Sequence, residues 1–166
     1  LAPVAAAIEV ISAAGTDGAL DELAKHRGIP TRVLRAYGVG VNGPRYTLAV
    51  RDHQGRIVDI RQYDVKHKLM MSTAGCRVGL YGAEQLKENT TDIVYLCEGE
   101  WDAIALRWLI KWNKAEGIVV AVPGAGTFKP EWVQWLRHRH VRCLYDADPP
   151  GRKGEELARN RLKGQV

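Results

Sequence analysis

Acidic side chains follow two of the short apolar runs in this sequence. Glu98 comes directly after the run 93–97, and Asp146 and Asp148 come directly after the run 141–145. If both runs are parallel strands, their carboxyl ends meet at one edge of a sheet, where loops gather side chains from successive units. Glu98 and Asp146 are then expected to be neighbours, and Asp148 can turn toward the same point.

Carboxylates gathered in this way predict a divalent metal. They repel one another unless a cation lies between them, and hard oxygen ligands suit Mg²⁺ or Mn²⁺. Because Mg²⁺ completes its shell with water and phosphate oxygens, ligation by Glu98, Asp146 and Asp148 indicates a phosphate ester or a nucleoside triphosphate as substrate. Asp102, four residues after Glu98, is expected on the same side of the first helical turn.

Each acidic motif by itself has a structural interpretation. Asp-x-Asp before Pro-Pro-Gly is typical of a solvated turn, and Glu98-Gly99 is typical of a junction where an acidic residue suits a helix N-terminus. The two motifs in this order, each after an apolar run, favour a metal site over two unrelated turns.

The elements that must position these residues form three strand-helix units. The predicted strands are 93–97, 118–122 and 141–145, and the predicted helices are 100–114, 129–139 and 152–163. Three consecutive units of this kind predict an α/β fold with a Rossmann-like parallel sheet and flanking helices. We place this α/β domain at residues 91–166 and a smaller mixed α+β lobe at residues 1–90.

The first lobe combines a helical pattern with a hairpin. Residues 3–38 have helical periodicity, and the alternating runs 46–50 and 56–60 are joined by the turn 52–55, which predicts a β-hairpin. The segment 66–82 has neither period and predicts a basic loop that leads to a short helix at 83–87.

Bulk properties exclude some classes of protein. The chain has 166 residues, 24 Lys and Arg against 19 Asp and Glu, and a net charge of +5, which favours weak attraction to polyanions. Its three cysteines form no CxxC pair, so neither a zinc ribbon nor a disulfide framework is indicated. No run approaches the roughly 20 apolar residues that span a bilayer, and a reducing cytoplasm is the expected location.

The two acidic motifs resemble a known family. Glu98-Gly99-x-x-Asp102-Ala103 after one strand and Asp146-x-Asp148-x-x-Gly151 after the third resemble the Toprim domain shared by bacterial-type primases, topoisomerases and some nucleases. The resemblance extends upstream to the amino-terminal lobe of primases, and it is nearest to fused phage primase-helicases. The upstream segments that carry it are 27–30, 37–40, 51–58, 66–68 and 80–82. Met70-Met71-Ser72 departs from the more polar run that is usual there.

The resemblance implies a DNA primase, a nucleotidyltransferase that makes RNA primers from ribonucleoside triphosphates on a single-stranded DNA template during replication. Glu98 would bind the metal and assist proton transfer, Asp146 and Asp148 would be metal ligands, and Asp102 would orient the cluster. Arg61, Lys66 and Lys68 are candidates for contacts to the triphosphate or the template. Each of them could equally be an ordinary surface charge that contacts only solvent.

The resemblance also implies partner domains. Such primases commonly carry a zinc-binding module and are linked to a replicative helicase, and a Toprim domain commonly continues beyond the helix that ends near Lys163, so the α/β domain is expected to be truncated. The alternatives are another Toprim enzyme, such as a nuclease or a topoisomerase fragment, and a non-catalytic DNA-binding module linked to a helicase. A glycosyltransferase using Asp-x-Asp would leave Glu98 and Asp102 unexplained.

Four of the five tryptophans are predicted to pack in apolar contacts. Trp108 and Trp112 are four residues apart on one predicted helix, and Trp132 and Trp135 are three apart on the next. This spacing favours core or interlobe packing over base stacking. Trp101 lies within the acidic loop, and we expect it to be close to substrate.

Overall fold

The computed structural model describes residues 17–88 and 91–163, which form two compact units. The first unit contains the described residues up to Val50 and the segment Ile57–Val78, and the second contains Arg51–Arg56 and the described residues from Gly79. The division into domains near residue 90 stays a prediction, because compactness in the folded chain does not show which segments fold independently. The first part of the predicted helical segment 3–38 lies outside the described residues.

The first unit packs two helices and a four-stranded antiparallel sheet. The helices are α1 (Asp17–Arg27) and α2 (Thr31–Ala36), and the sheet has the order β1-β2-β3-β4. Its strands are β1 (Gly40–Asn42), β2 (Arg45–Arg51), β3 (Ile57–Asp64) and β4 (Leu69–Ser72). Leu20 and Leu23 of α1 are buried together with Leu48 and Ile60 of the sheet. The predicted hairpin is confirmed as β2 and β3.

Hydrogen bonds to a buried carboxylate brace the turn between β2 and β3. Asp52 accepts from the amides of Gln54 at 2.9 Å and Arg56 at 3.0 Å, and its other oxygen forms an ion pair with the Arg56 guanidinium at 2.8 Å. Burial raises the pKa of Asp52, but these bonds outweigh that effect and the net pKa lies below its usual value. The turn belongs to the second unit, where the His53 ring packs against Trp135 with ring centroids 4.7 Å apart.

Strand β4 corrects the prediction of a loop through residues 66–82. Leu69 pairs with Asp64 and Ser72 pairs with Arg61 in an antiparallel register, and Thr73 continues the contact by donating to the Ile60 carbonyl at 3.0 Å. The segment does not alternate between apolar and polar residues. It is a strand because it pairs with β3, not because of its local sequence pattern. The short helix predicted at 83–87 is α3, at Gln85–Glu88.

The second unit contains the predicted parallel sheet. Its strands are β5 (Ile93–Cys97), β6 (Ile118–Ala121) and β7 (His140–Leu144), in the order β6-β5-β7. Val94 pairs with Ile118 of β6 and with Val141 of β7. Helices α4 (Glu100–Trp112), α5 (Val133–Leu136) and α6 (Pro149–Arg161) follow the three strands, which confirms the α/β fold class.

The predicted helix 129–139 is wrong in extent. Short 3-10 turns at Ala125–Thr127 and Pro130–Trp132 precede α5, which has only four residues. Pro130 has no N–H to continue a helical ladder, and Arg137 has extended backbone angles (φ −59°, ψ 137°) that end α5. The core on this side of the sheet includes Phe128, Trp132 and Leu136.

The tryptophan predictions have mixed outcomes. Trp132 is 1% exposed, and Trp135 packs partly buried against the same core, as predicted. Trp112 is 68% exposed, so its predicted core position is wrong. A helix of 13 residues spans about 20 Å, whereas a five-residue strand spans about 16 Å. The end of α4 therefore extends past the sheet that would have covered Trp112. None of the described helices is both long enough and apolar enough to cross a membrane.

Candidate active site

The first acidic loop joins β5 to α4 through two residues. Gly99 has extended backbone angles (φ −142°, ψ 159°) and is the N-cap of α4, and its carbonyl accepts from the Ala103 amide at 3.1 Å. Asp102 lies in the first turn of α4, where a negative charge suits the helix dipole. A Cβ on Gly99 would lie 3.2 Å from Asp102 Oδ2. The Asp102 carboxylate therefore folds back toward the start of the loop that carries Glu98.

The second acidic loop joins β7 to α6. Asp148 is the N-cap of α6, and its Oδ1 accepts from the Gly151 amide at 2.7 Å. Pro149 and Pro150 occupy the first helical positions, where their missing N–H groups cost no hydrogen bond. A Cβ on Gly151 would lie 2.9 Å from the Asp146 carbonyl carbon and closer still to its oxygen. Glycine at this position lets the helix pack directly on the backbone of Asp146.

A hydrogen bond joins the two loops. The Asp146 amide donates to Glu98 Oε2 at 3.1 Å, so the structure brings together these residues from the ends of neighbouring parallel strands. Burial raises the pKa of Glu98, and the charges of Asp146, Asp148 and Asp102 raise it further, while the hydrogen bond from Asp146 opposes them. The three aspartates thus lie within electrostatic reach of Glu98.

The donor set suits a hard divalent cation, but the side chains do not converge as three ligands. Within residues 17–88 and 91–163, no three His, Cys, Asp or Glu side chains are grouped for a metal ion. One oxygen of Asp148 caps α6, and one oxygen of Glu98 accepts from Asp146. The neighbouring aspartates nevertheless raise the pKa of Glu98 through their negative charge, and a bound cation would neutralise that charge. Metal ligation by Glu98, Asp146 and Asp148 stays a prediction.

A third loop, Pro123–Thr127, lies beside the acidic loops. The Gly124 amide donates to the Glu98 carbonyl at 3.2 Å, and Gly124 has a φ of 124°, which glycine tolerates. A Cβ on Gly154 of α6 would lie 2.8 Å from the Ala125 carbonyl carbon. Gly154 was not among the residues predicted from the sequence. The spacing of Gly151 and Gly154, three residues apart on one helix face, is the signal that could have found it.

An apolar layer lies beneath the acidic edge. Tyr145 directly precedes Asp146, and burial raises the pKa of its hydroxyl, which has no hydrogen-bond partner in the described residues. Burial also raises the pKa of Cys97, directly before Glu98, to about 12, with a smaller contribution from the charge of Asp102. The carboxylates therefore rest on groups that stay neutral, and the negative charge at this edge comes from the carboxylates.

The three predicted cations belong to the first unit. Arg61 is buried and donates to Ser72 Oγ at 2.8 Å, and Ser72 in turn donates to Asp59 Oδ2 at 2.5 Å. Lys66 and Lys68 are exposed in the turn between β3 and β4. Arg61 is thus part of a buried polar network, whereas the two lysines are available to solvent. Their predicted contacts to a triphosphate or template stay predictions.

Solved structures share this architecture. The primase fragment of the bacteriophage T7 primase-helicase matches with a TM-score of 0.66 and 23% identity, over 86% of this chain and 61% of that chain. The RNA polymerase domain of Mycobacterium tuberculosis primase DnaG matches with a TM-score of 0.68 and 16% identity, over 99% of this chain and 72% of that one. A DnaG primase catalytic domain bound to single-stranded DNA matches with a TM-score of 0.61 and 20% identity, over 83% and 57%.

The chain has the fold of a primase catalytic core. This confirms the resemblance at the level of the fold, for both the α/β domain and the lobe that precedes it. No family model and no curated protein matches the sequence. The chain spans about three fifths of the T7 primase fragment, 61% of its length.

Proposed function

We propose that this chain is the catalytic core of a DNA-dependent RNA primase, which joins ribonucleoside triphosphates on a single-stranded DNA template. One observation carries the proposal: Glu98 and Asp146 meet at the carboxyl edge of the sheet, at 3.1 Å, within a primase fold. Nucleotidyl transfer depends chiefly on positioning and on neutralising phosphate charge. An edge made of carboxylates requires a cation to approach a triphosphate, so Mg²⁺ or Mn²⁺ is part of the proposal.

The acidic residues have distinct roles in this proposal. Glu98, Asp146 and Asp148 would hold the metal, which supplies the positive charge that draws the triphosphate to the edge. Glu98, whose pKa is raised, is the residue suited to accept a proton from the attacking hydroxyl. Asp102, folded toward the same loop, orients the cluster and adds to its charge.

The proposal extends to partners. Arg61, Lys66 and Lys68 of the first unit would contact the triphosphate or the template, and the exposure of the two lysines supports this part of the proposal. A zinc-binding module and a helicase domain would supply template recognition and movement along DNA. A nuclease, a topoisomerase fragment and a non-catalytic module are the competing functions.

A primer-synthesis assay tests the proposal. The chain is incubated with single-stranded DNA, labelled ribonucleotides and Mg²⁺ or Mn²⁺, beside an Asp146→Asn/Asp148→Asn variant. We expect metal-dependent oligoribonucleotides from the wild-type chain and none from the variant. Equal synthesis by both proteins would refute the metal-site assignment, and cleavage of the DNA would instead support a nuclease. A further arm fuses a zinc-binding module to the chain, and failure of that arm as well would overturn the proposal.

A further inference from the structure

The amino edge of the parallel sheet carries basic residues, in contrast to the acidic carboxyl edge. Helices α4 and α6 run back from the carboxyl edge, so their last turns return to the amino edge, where the residues before β7 also lie. We define the amino-edge surface by the exposed residues that share this position: Lys111, Trp112, Lys114, Arg137 and Arg161.

The cations of the amino-edge surface have no acidic partners in the part of the chain that the structure describes. Some other cations in this unit are paired, for example Arg159 with Glu155 at 2.8 Å. Within residues 17–88 and 91–163, none of the four cations of the amino-edge surface forms an ion pair. Asp92 and Glu116 are exposed acids at the same edge, but the positive charges outnumber them. The surface therefore keeps an excess of positive charge that an external anion can neutralise.

Favourable interaction with helix dipoles explains the positions of only two of these four cations. Lys111 and Arg161 lie in last helical turns, where a cation is favoured. Lys114 and Arg137 lie outside the helices. Arg137 and Arg161, from different segments, line one cleft of about 550 Å³, and the acid in that cleft, Glu131, lies 3.9 Å from Lys129. Two guanidinium groups facing one cleft suit the oxygens of phosphate groups.

Trp112 gives the surface an aromatic platform. Its side chain is 68% exposed, and Leu109, one turn earlier, is 46% exposed. Lys111 and Lys114 flank the tryptophan in the sequence. An exposed aromatic ring beside cations is the arrangement that binds single-stranded nucleic acid, because a base stacks on the ring while phosphates contact the cations. Duplex DNA hides the faces of its bases and cannot use the ring in this way.

We propose that the amino-edge surface binds single-stranded nucleic acid, at the end of the sheet opposite to the acidic loops. Trp112 stacks on a base, Lys111 and Lys114 contact adjacent phosphates, and Arg137 and Arg161 contact phosphates further along the strand. The binding itself is independent of the chemistry at the acidic edge. Its use, holding template or product away from the reacting end, rests on the function proposed above.

Fluorescence anisotropy with a labelled oligodeoxythymidine tests this surface. The titration is run in EDTA at several salt concentrations, so that no metal-dependent chemistry takes part. We expect Trp112→Ala to weaken binding roughly 10-fold, which corresponds to the loss of one stacked base. We expect Lys111→Ala/Lys114→Ala to reduce the slope of log K against log salt by about 1.4, for two phosphates on a single strand.

Control variants separate this surface from other cations. Lys25→Ala removes an exposed lysine of α1. It should change the slope of log K against log salt less than Lys111→Ala/Lys114→Ala does. Asp146→Asn/Asp148→Asn should bind the oligonucleotide as well as the wild type, even when it makes no primer. This pair of results distinguishes failure of the proposed function from failure of the surface.

Photocrosslinking gives a second measurement, since other sites on the chain can also bind DNA. The crosslinked peptide should contain Trp112, and an Arg137→Ala/Arg161→Ala variant should crosslink less. Unchanged affinity and slope in the Trp112 and lysine variants would overturn the proposal, as would crosslinks that avoid α4. Binding of polyglutamate should also be measured. If Trp112→Ala weakened polyglutamate binding as much as oligonucleotide binding, the surface would suit an acidic protein partner, and the proposal would be overturned.

Discussion

A methyl group at Gly151 tests whether packing of α6 positions the acidic site. In Gly151→Ala, the new Cβ would lie 2.9 Å from the Asp146 carbonyl carbon and closer to its oxygen. Neither atom is the end of a flexible side chain, so the backbone of the acidic loop or the start of α6 must move. A shift on the order of 1 Å can reduce a catalysed rate about 100-fold when it displaces reacting groups.

The same substitution has a stability cost that can be measured separately. Overpacking of this kind costs about 1–3 kcal/mol, which urea denaturation can resolve. The matched control is Gly18→Ala, because nothing lies within 4 Å of a Cβ at this helical glycine. Alanine there should stabilise the chain by at most ~1 kcal/mol and leave primer synthesis unchanged.

Two assays decide the outcome for Gly151→Ala. Primer synthesis with saturating nucleotide reports the rate, and a denaturation curve reports whether the variant is folded under assay conditions. We expect a folded protein with a large loss of rate. A variant with wild-type stability and wild-type rate would refute the inference that the Gly151 contact places Asp146.

Further substitutions test other parts of the structure. Asp148→Ala should lose about 1 kcal/mol of stability with its helix cap, whereas Asp148→Ser should keep the cap and the stability but lose synthesis, as denaturation and primer assays can show. Trp132→Ala should cost about 3–5 kcal/mol because the side chain is 1% exposed, whereas Trp112→Ala should change stability by less than about 0.5 kcal/mol. Glu98→Gln should raise the melting temperature without metal, because the raised pKa means that folding disfavours the ionised form. That gain should vanish below the unfolded-state pKa, where Glu98 is protonated in both states, and Mg²⁺ should stabilise the wild type more than the variant.

Much of the second unit could be predicted because its signals are local. Strand β5 has the predicted bounds, β6 ends one residue earlier than predicted, and β7 is shifted by one residue toward the N-terminus at both ends. Buried parallel strands are continuous apolar runs, and Gly99 marks the start of the helix after β5. The helix after β7 begins at Pro149, three residues before its predicted start. The acidic loops follow from these bounds, since topology alone brings the ends of β5 and β7 together.

The features that could not be predicted depend on tertiary contacts. Leu69–Ser72 becomes a strand only because β3 offers it a partner, and its sequence has no alternation to announce this. Trp112 has helical spacing typical of a core position, but the sheet ends before it. The backbone angles of Gly154 do not require glycine. Glycine is needed there because a Cβ would collide with the backbone of Ala125, which is distant in the sequence.

The geometry of the acidic edge is set by backbone packing more than by side-chain bonds. Gly151 brings α6 onto the carbonyl of Asp146, Gly154 brings the same helix onto Ala125, and Gly124 bonds to the carbonyl of Glu98. Across the two acidic loops, the Glu98 carboxylate accepts a hydrogen bond from the backbone amide of Asp146. If a cation bound here, Glu98 and Asp148 would reach it by rotation of their side chains, without movement of the backbone that carries them. Replacing Gly151 or Gly154 by alanine, which adds one methyl group, should therefore reduce primer synthesis more than removing an exposed charge outside the acidic loops.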